Sequence, residues 1–555
     1  MKPKYLPALF TAATLFASLL SYSQKLKKAD KALIKEIESH ITYLSDDKLE
    51  GRRAGTKGEQ LASEYISKQF AQAGLQPLGD QGGWLQSFTI NDGKEVKTAS
   101  HLIINGNDLR LSSDYFPLAY SANGRVEALP AISLPESGMP WFVDLKDVLE
   151  ENRDNPHFDL NDNIRQKTAE CAGKGATALV LYNSSSIEDK LSFEAKDRAA
   201  LTTIPVVYIS RDVVKKFLSD VSASLDMKLK VELGAKNRTG NNVLGYIDNG
   251  AATTVILGAH YDHLGYGEDG NSMLRNNSNA RQIHNGADDN ASGTAALIML
   301  AEMLKKSKLT ANNYLFIAFS GEELGLFGSK HFTEKPTINI TAANYMINMD
   351  MVGRLNDSSK VLTVGGIGTS PTWTTTLSSI PAKYFTVKYD SSGTGPSDHS
   401  SFYRKDIPVL FFFTGLHSDY HRPSDDADKI NYTGELMIIR YIYSVIEKNN
   451  RPSLKLAFTK TREAQTTTSA RFSVTMGIMP DYTYSGTGVR VDGVTDGRPA
   501  QKAGIKTGDV IVQLGDNALS SMESYMQALG KFKKGDMAKV KYKRGNETLE
   551  TTVQF

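Results

Sequence analysis

Apolar residues recur along this chain at two spacings, and the change of spacing divides it. Leu33, Ile34, Ile37, Ile41 and Leu44 stand at helical intervals, as do Tyr65, Ile66, Phe70 and Leu75. Gly51, Gly55 and Gly58 interrupt the pattern between them. Residues 30–75 therefore predict two helices around a polar turn. That turn, E-G-R-R-A-G-T, reads equally well as a solvated connection or as a piece lying near a functional site. Downstream, from 115 to 235, short β-like runs at 140–145, 176–183 and 204–210 alternate with turns and one helical stretch at 164–173. This predicts an inserted β-rich domain.

From residue 242 strand-like and helical patterns alternate. Strands are expected at 253–259, 313–319, 343–349 and 407–413, and helices at 291–306, 323–332 and 432–448. The fold class this predicts is α/β, a mixed, mostly parallel sheet flanked by helices. Residues 451–470 are polar and aperiodic and read as a linker. Residues 471–555 read as a small unit of short strands with one helix around 522–529.

Candidate chemistry collects where the predicted strands end. His260, Glu322, Glu323 and Asp350 each follow one, and the loop holding His417 and His421 follows another. Sites in α/β sheets form at the carboxyl ends of strands. Asp288–Asp289 and Glu322–Glu323 are adjacent carboxylate pairs, which repel unless solvated or beside cations. Apolar runs flank them, so a metal site is the leading idea. Two divalent cations a few ångströms apart need a shared carboxylate with further ligands on each side. Adjacent glutamates suit a division of labour, one binding metal and its neighbour moving a proton. Asp262 either orients His260 or bridges two ions. Spacing alone leaves open the choice between Asp288 and Asp289, His260 and His263, and His417 and His421.

Composition narrows the chemistry. The single cysteine, Cys171, excludes an internal disulfide and a cysteine-based zinc site, so any metal must be held by His and carboxylates. Residues 1–23 look like a secretory signal: Lys2 and Lys4, an uncharged run from Leu6 to Leu20, then small residues before Gln24. Without Lys2 and Lys4 the 64 basic residues become 62, equal to the 62 acidic ones. That balance leaves no electrostatic footprint for nucleic acid. No later stretch is apolar enough to span a membrane. The expectation is an exported protein, periplasmic or secreted.

The segments GAHYDHLG, GADDNASG, SGEELGLFGS, INMDMVGR and SDYHRPSDD together resemble the zinc-dependent aminopeptidases of family M28. YLSDDKLEGRRAGTKGEQLASEYI and GLQPLG resemble that family's N-terminal segment. The resemblance implies two Zn2+ ions per chain and peptide substrates. Carried over by motif, His260 and Asp350 would hold one zinc, Glu323 and His421 the other, and Asp289 would bridge them. Glu322 would be the general base, Asp262 would orient His260, and Tyr420 would polarise the scissile carbonyl. The Asp289–Asn290 peptide bond would be cis. Asn290 stands where the family often has aspartate.

Residues 115–235 resemble a protease-associated domain, and 471–555 a PDZ domain, carried by RPAQKAGIKTGDVIVQLGD. Thr475 to Met479 would be the carboxylate-binding loop, taking a peptide C-terminus or an added strand. The implied order is a signal at 1–23, catalytic segments at 24–114 and 236–450 around the insert, a linker and the PDZ unit. Cyclisation of N-terminal glutamine, carboxypeptidase or dipeptidase action, and a silent peptide-binding scaffold are the competing expectations. His263 and His284 are expected outside the ligand set, Asp288 as a loop stabiliser, and His417 and Asp419 on the rim. The resemblance implies that Asp398 and His399 lie near the substrate cleft, while Ser397 or Asp398 reads locally as a helix cap.

Overall fold

The computed structural model describes residues 27–155, 158–197, 199–220, 222–274, 281–452, 454–461, 474–480, 487–494, 497–519, 522–545 and 547–555. The expected signal at 1–23 and residues 462–470 of the expected linker lie outside them.

Strands Asn313–Phe319, Thr254–His260, Ala343–Met349 and Val409–Phe413 lie side by side and parallel, every residue of the first three buried. Antiparallel partners flank this centre: Leu233–Ile247 beside 313–319, and Val361–Gly365 beside 409–413. The sheet is therefore mixed, parallel in the middle, with all four central strands ending on the same edge. Helices Lys28–Leu44, Lys57–Gln72, Gly293–Lys305 and Tyr432–Lys448 bury their apolar stripes against one core. A second core on Ile256, Ile317 and Phe319 takes Phe332 and Phe402 from short helices Phe327–Glu334 and His399–Tyr403.

Two contacts tie the N-terminal helices to the sheet's functional edge. The buried Glu59 carboxylate accepts from Ser320 Oγ (2.5 Å), the Asn241 N–H (2.9 Å) and the Gly55 N–H (2.7 Å). Arg52 is fully buried and donates to the main-chain carbonyls of Leu44, Tyr261, Asn285 and Gly286. The E-G-R-R-A-G-T turn thus lies against the loops carrying His260 and Asp289. Gly51 is required there: its φ is +65°, and a Cβ would fall 2.4 Å from the His284 carbonyl oxygen.

The inserted segment leaves and rejoins through one antiparallel ladder, Leu85–Val96 against Leu233–Ile247, with Val96 opposite Leu233. Its described residues form two four-stranded sheets and three helices. One sheet includes His101–Ile104 and Asn107–Asp108, paired through Met227–Val231. The insert's sheet therefore reaches upstream of the expected boundary at 115, because residues 101–108 find their ladder partners inside the insert. A second boundary also moves. Leu456, expected in a linker, is 3 % exposed, its N–H donates to Asn344 Oδ1 (2.8 Å), and Thr461 hydrogen-bonds Tyr403. Local polarity misled there, because Leu454, Leu456 and Phe458 face the core.

Among the described residues, 474–555 form a separate sheet of short antiparallel strands with helices Pro499–Lys502 and Met522–Leu529 around its own core. No described helix is long and apolar enough to cross a membrane.

Candidate metal centre

The parallel strand ends bring the distant side chains together. His260 is the last residue of its strand, Asp350 follows Met349, Glu322 and Glu323 follow Phe319, and His421 comes from the loop after Phe413. Asp289 enters on the turn preceding helix Gly293–Lys305.

Asp289 presents its two oxygens to two different imidazoles. Oδ1 lies 3.3 Å from His260 Nε2, which is 3.4 Å from Asp350 Oδ1. Oδ2 lies 3.3 Å from His421 Nε2, which is 3.2 Å from Glu323 Oε2. Donors about 2.0–2.1 Å from a tetrahedral zinc stand about 3.3 Å apart, so these spacings fit two ions sharing Asp289. His260, Asp289 and Asp350 form one donor triad. Glu323 and Asp289 also converge with His263, whose Nδ1 is 2.8 Å from Glu323 Oε1 but 3.9 Å from Asp289 Oδ2. His421 is thus the nearer imidazole to the shared carboxylate, and His263 braces the other oxygen of Glu323.

Electrostatics point the same way. Burial disfavours a charged imidazole at His260 and His421, yet the carboxylates of Asp350 and Glu322 around the first, and Glu323 and Asp289 around the second, raise both well above the ordinary histidine value. Burial likewise opposes the Glu323 anion, but His421 and His263 bring it down to about 2. The pocket demands positive charge. Glu322 behaves oppositely: burial, then the neighbouring Asp350, Asp398 and Glu323, push it well above the usual carboxylate range, against the pull of His260. It is a carboxyl suited to holding a proton.

The surroundings orient these groups. His260 Nδ1 faces the main-chain carbonyl of Asp262 at 3.1 Å, while the Asp262 carboxylate is 3.7 Å away and accepts the Glu322 N–H at 3.1 Å. Asp262 therefore touches both His260, through its backbone, and Glu322, through its side chain. Ser397 Oγ donates to Asp350 Oδ2 at 2.7 Å, and Asp398 makes no capping bond to the helix His399–Tyr403. Asp425 Oδ2 accepts the N–H groups of Asp288 and Asp289, at 3.0 and 3.1 Å. Asp288 accepts from Ser292 Oγ and the Gly353 N–H and pairs with His417, as a loop stabiliser does. His284 faces Ser272 Oγ at 2.7 Å, away from the donor triads. The Tyr420 ring stacks on His421, centroids 3.9 Å apart.

The Asp289–Asn290 peptide is cis. Asn290 donates through Nδ2 to the Met349 carbonyl (3.0 Å) and accepts through Oδ1 from Gly293 and Met351. An aspartate anion could not supply that donor, so the amide suits this site. Gly293 must stay small, since a Cβ would fall 2.4 Å from both Asn290 Oδ1 and the Met349 carbonyl.

Arg52, Asp425 and Asn271, which contacts both Glu323 and His421, were not singled out by sequence reasoning. Their signal is positional, and nothing in residue spacing carries it.

Two segments of the chain match known families. Residues 242–446 match the sequence model of Peptidase family M28, and residues 459–555 that of a PDZ domain. The aminopeptidase YwaD of Bacillus subtilis is 26 % identical over 314 residues, covering 53 % of this chain and 62 % of that protein. Leucine aminopeptidase 2 of Trichophyton rubrum is 25 % identical over 317 residues, covering 51 % and 59 %. The chain thus spans about three fifths of these curated relatives, 62 % and 59 %. The solved structure of BSAP, a zinc aminopeptidase from Bacillus subtilis, aligns with a TM-score of 0.42 at 20 % identity, covering 78 % of this chain and 96 % of that one. Both carboxylate pairs, His260 and His421 fall within the segment 242–446 that matches Peptidase family M28, and residues 459–555 match a PDZ domain.

Proposed function

We propose that the protein is an exported zinc aminopeptidase that removes N-terminal residues from peptides, with two Zn2+ held by His260 and Asp350, by Glu323 and His421, and jointly by Asp289. The observation that carries this reading is Asp289, whose two oxygens each lie 3.3 Å from a different imidazole. Zinc there supplies Lewis acidity, which polarises a peptide carbonyl and makes water easier to deprotonate.

The protein's own groups do the rest. Glu322 takes the proton of the attacking water and returns it to the leaving amine. Asp262 holds the Glu322 main chain with its carboxylate and orients the His260 ring with its carbonyl. Tyr420, against His421, donates to the carbonyl oxygen as charge develops on it. The PDZ unit takes a peptide C-terminus or adds a strand, and tunes which peptides reach the site. Export rests on the charge and apolar pattern of residues 1–23.

The test is zinc content together with hydrolysis of matched free and N-blocked peptides. Two zinc ions per chain and loss of cleavage on N-blocking are expected. One tightly bound zinc with cyclisation of N-terminal glutamine would overturn the reading, and undiminished cleavage of blocked peptides would replace aminopeptidase by another exopeptidase action.

A further inference from the structure

The loop from Asp269 to Met273 follows none of the family motifs, yet it meets the centre at three points. Its Asn271 carbonyl accepts from His421 Nδ1 at 2.9 Å. Its Asn271 Nδ2 donates to the carbonyl and to Oε2 of Glu323, at 3.3 and 3.4 Å. Its Met273 N–H donates to the His421 carbonyl at 2.9 Å. His421 has φ +53°, a strained conformation that a non-glycine residue keeps only where its surroundings hold it there. The hydrogen bonds from this loop hold both its ring and its backbone.

The other end of the loop is clamped. The Asp269 side chain is 9 % exposed and faces three cations: Arg53, in a two-point contact at 2.7 and 3.0 Å, Lys196 at 2.8 Å and Arg238 at 3.5 Å. Arg53 and Arg238 share a second carboxylate, Asp92. Lys196 belongs to the inserted segment, and the neighbouring Ala195 carbonyl accepts the Lys94 N–H at 2.8 Å. Lys196, Asp269, Asn271 and Glu323 all line one cleft of about 940 Å³, so the clamp stands on the wall of the space leading to the centre.

We propose that Asp269 and Asn271 are positioning residues for His421 and Glu323, and that the inserted segment steadies them through Lys196. The inference rests on the two-zinc reading above. Its mechanism is fixation of two ligands: the Asn271 carbonyl accepts from His421 Nδ1, which turns the Nε2 lone pair into the space between Asp289 Oδ2 and Glu323 Oε2 where the ion would sit, and Asn271 Nδ2 holds Glu323. The insert then acts on metal retention without supplying a ligand.

The experiment is competitive zinc titration of the full chain against a chelator, with thermal unfolding recorded for every variant. Asp269→Asn and Asn271→Ala are each expected to weaken one of two uptake steps about 10–100-fold and leave the other within about twofold. Asp269→Glu should recover part of the loss. Lys196→Gln, at a side chain 55 % exposed where folding is not at risk, should move the same step about twofold to fivefold. Combined with Glu323→Gln, the Asp269 change should add little, whereas with Asp350→Asn it should add in full. Equal weakening of both steps, or no shift of either, overturns the inference while leaving the two-zinc reading intact. A wild-type chain that takes up only one zinc overturns both.

Discussion

Ser397 Oγ donates to Asp350 Oδ2 at 2.7 Å, leaving Oδ1 of the same carboxylate facing His260 Nε2. A residue on the loop before helix His399–Tyr403 thus fixes which oxygen of Asp350 is free to bind. Asn348 Nδ2 in turn donates to Ser397 Oγ at 2.8 Å, so the hydroxyl has no freedom to turn away. Replacing Ser397 by alanine is expected to lower zinc affinity on the His260 side about tenfold or more, with the His421 side unchanged. Chelator competition measures this directly.

Glu322→Gln removes the proton-carrying oxygen and leaves every donor of the two triads in place. The expected result is full zinc content with turnover reduced about 10²–10⁴-fold. Metal analysis and kcat on an amino-acid amide check it, and retained turnover would remove Glu322 from the role of base.

Asp425 is fully buried, and its Oδ2 serves two main-chain donors. Asp425→Ala strands the N–H groups of Asp288 and Asp289 away from water, at about 1–3 kcal/mol each. Asp425→Asn keeps an acceptor and should cost less. Urea unfolding of the two variants, compared at equal m-value, provides the measurement.

His399 is 2 % exposed and stacked on Phe411, and burial brings its pKa down to about 3. The unfolded chain, with an ordinary histidine near 6.5, binds the proton more readily across that interval. Stability therefore falls as pH drops from about 6.5 towards about 3, by up to about 1.4 kcal/mol per pH unit from this group. His399→Phe should flatten that limb of the stability–pH curve, which thermal unfolding in a buffer series would show.

Removing residues 474–555 should spare hydrolysis of small amino-acid amides and change the selection among peptides, because that unit has its own core. Steady-state rates on an amide and on a peptide panel separate the two effects. Loss of the amide activity as well would make the C-terminal unit part of the catalytic structure.

The strands and helices of the nine-stranded sheet were legible because their burial follows simple periods. The runs ending at His260, Phe319 and Met349 are buried at every residue and read as continuous apolar segments. His260, Glu322, Glu323 and Asp350 were legible as candidates because they sit where those runs stop, whereas Asp289 and His421 were singled out by resemblance to a family. What was not legible depends on contacts between distant parts of the chain. Arg52 lies 209 residues from the Tyr261 carbonyl it binds, and no local pattern distinguishes it from Arg53, which faces Asp269 instead. The upstream edge of the insert was missed for the same reason: residues 101–104 declare their allegiance only through partners at 227–230.

The paired strands Leu85–Val96 and Leu233–Ile247 have a consequence for how such a chain can be assembled from parts. Val96 and Leu233 face each other across the ladder, a few ångströms apart as neighbouring strands are. A tight reverse turn would close that gap as well as the whole insert does. The main sheet is therefore a socket with two contacts side by side, into which a module with adjacent termini can be spliced or from which it can be cut without breaking the core. What a shortened chain would forfeit is local and nameable: the Lys196 ammonium that reaches Asp269 from the far side of the cleft.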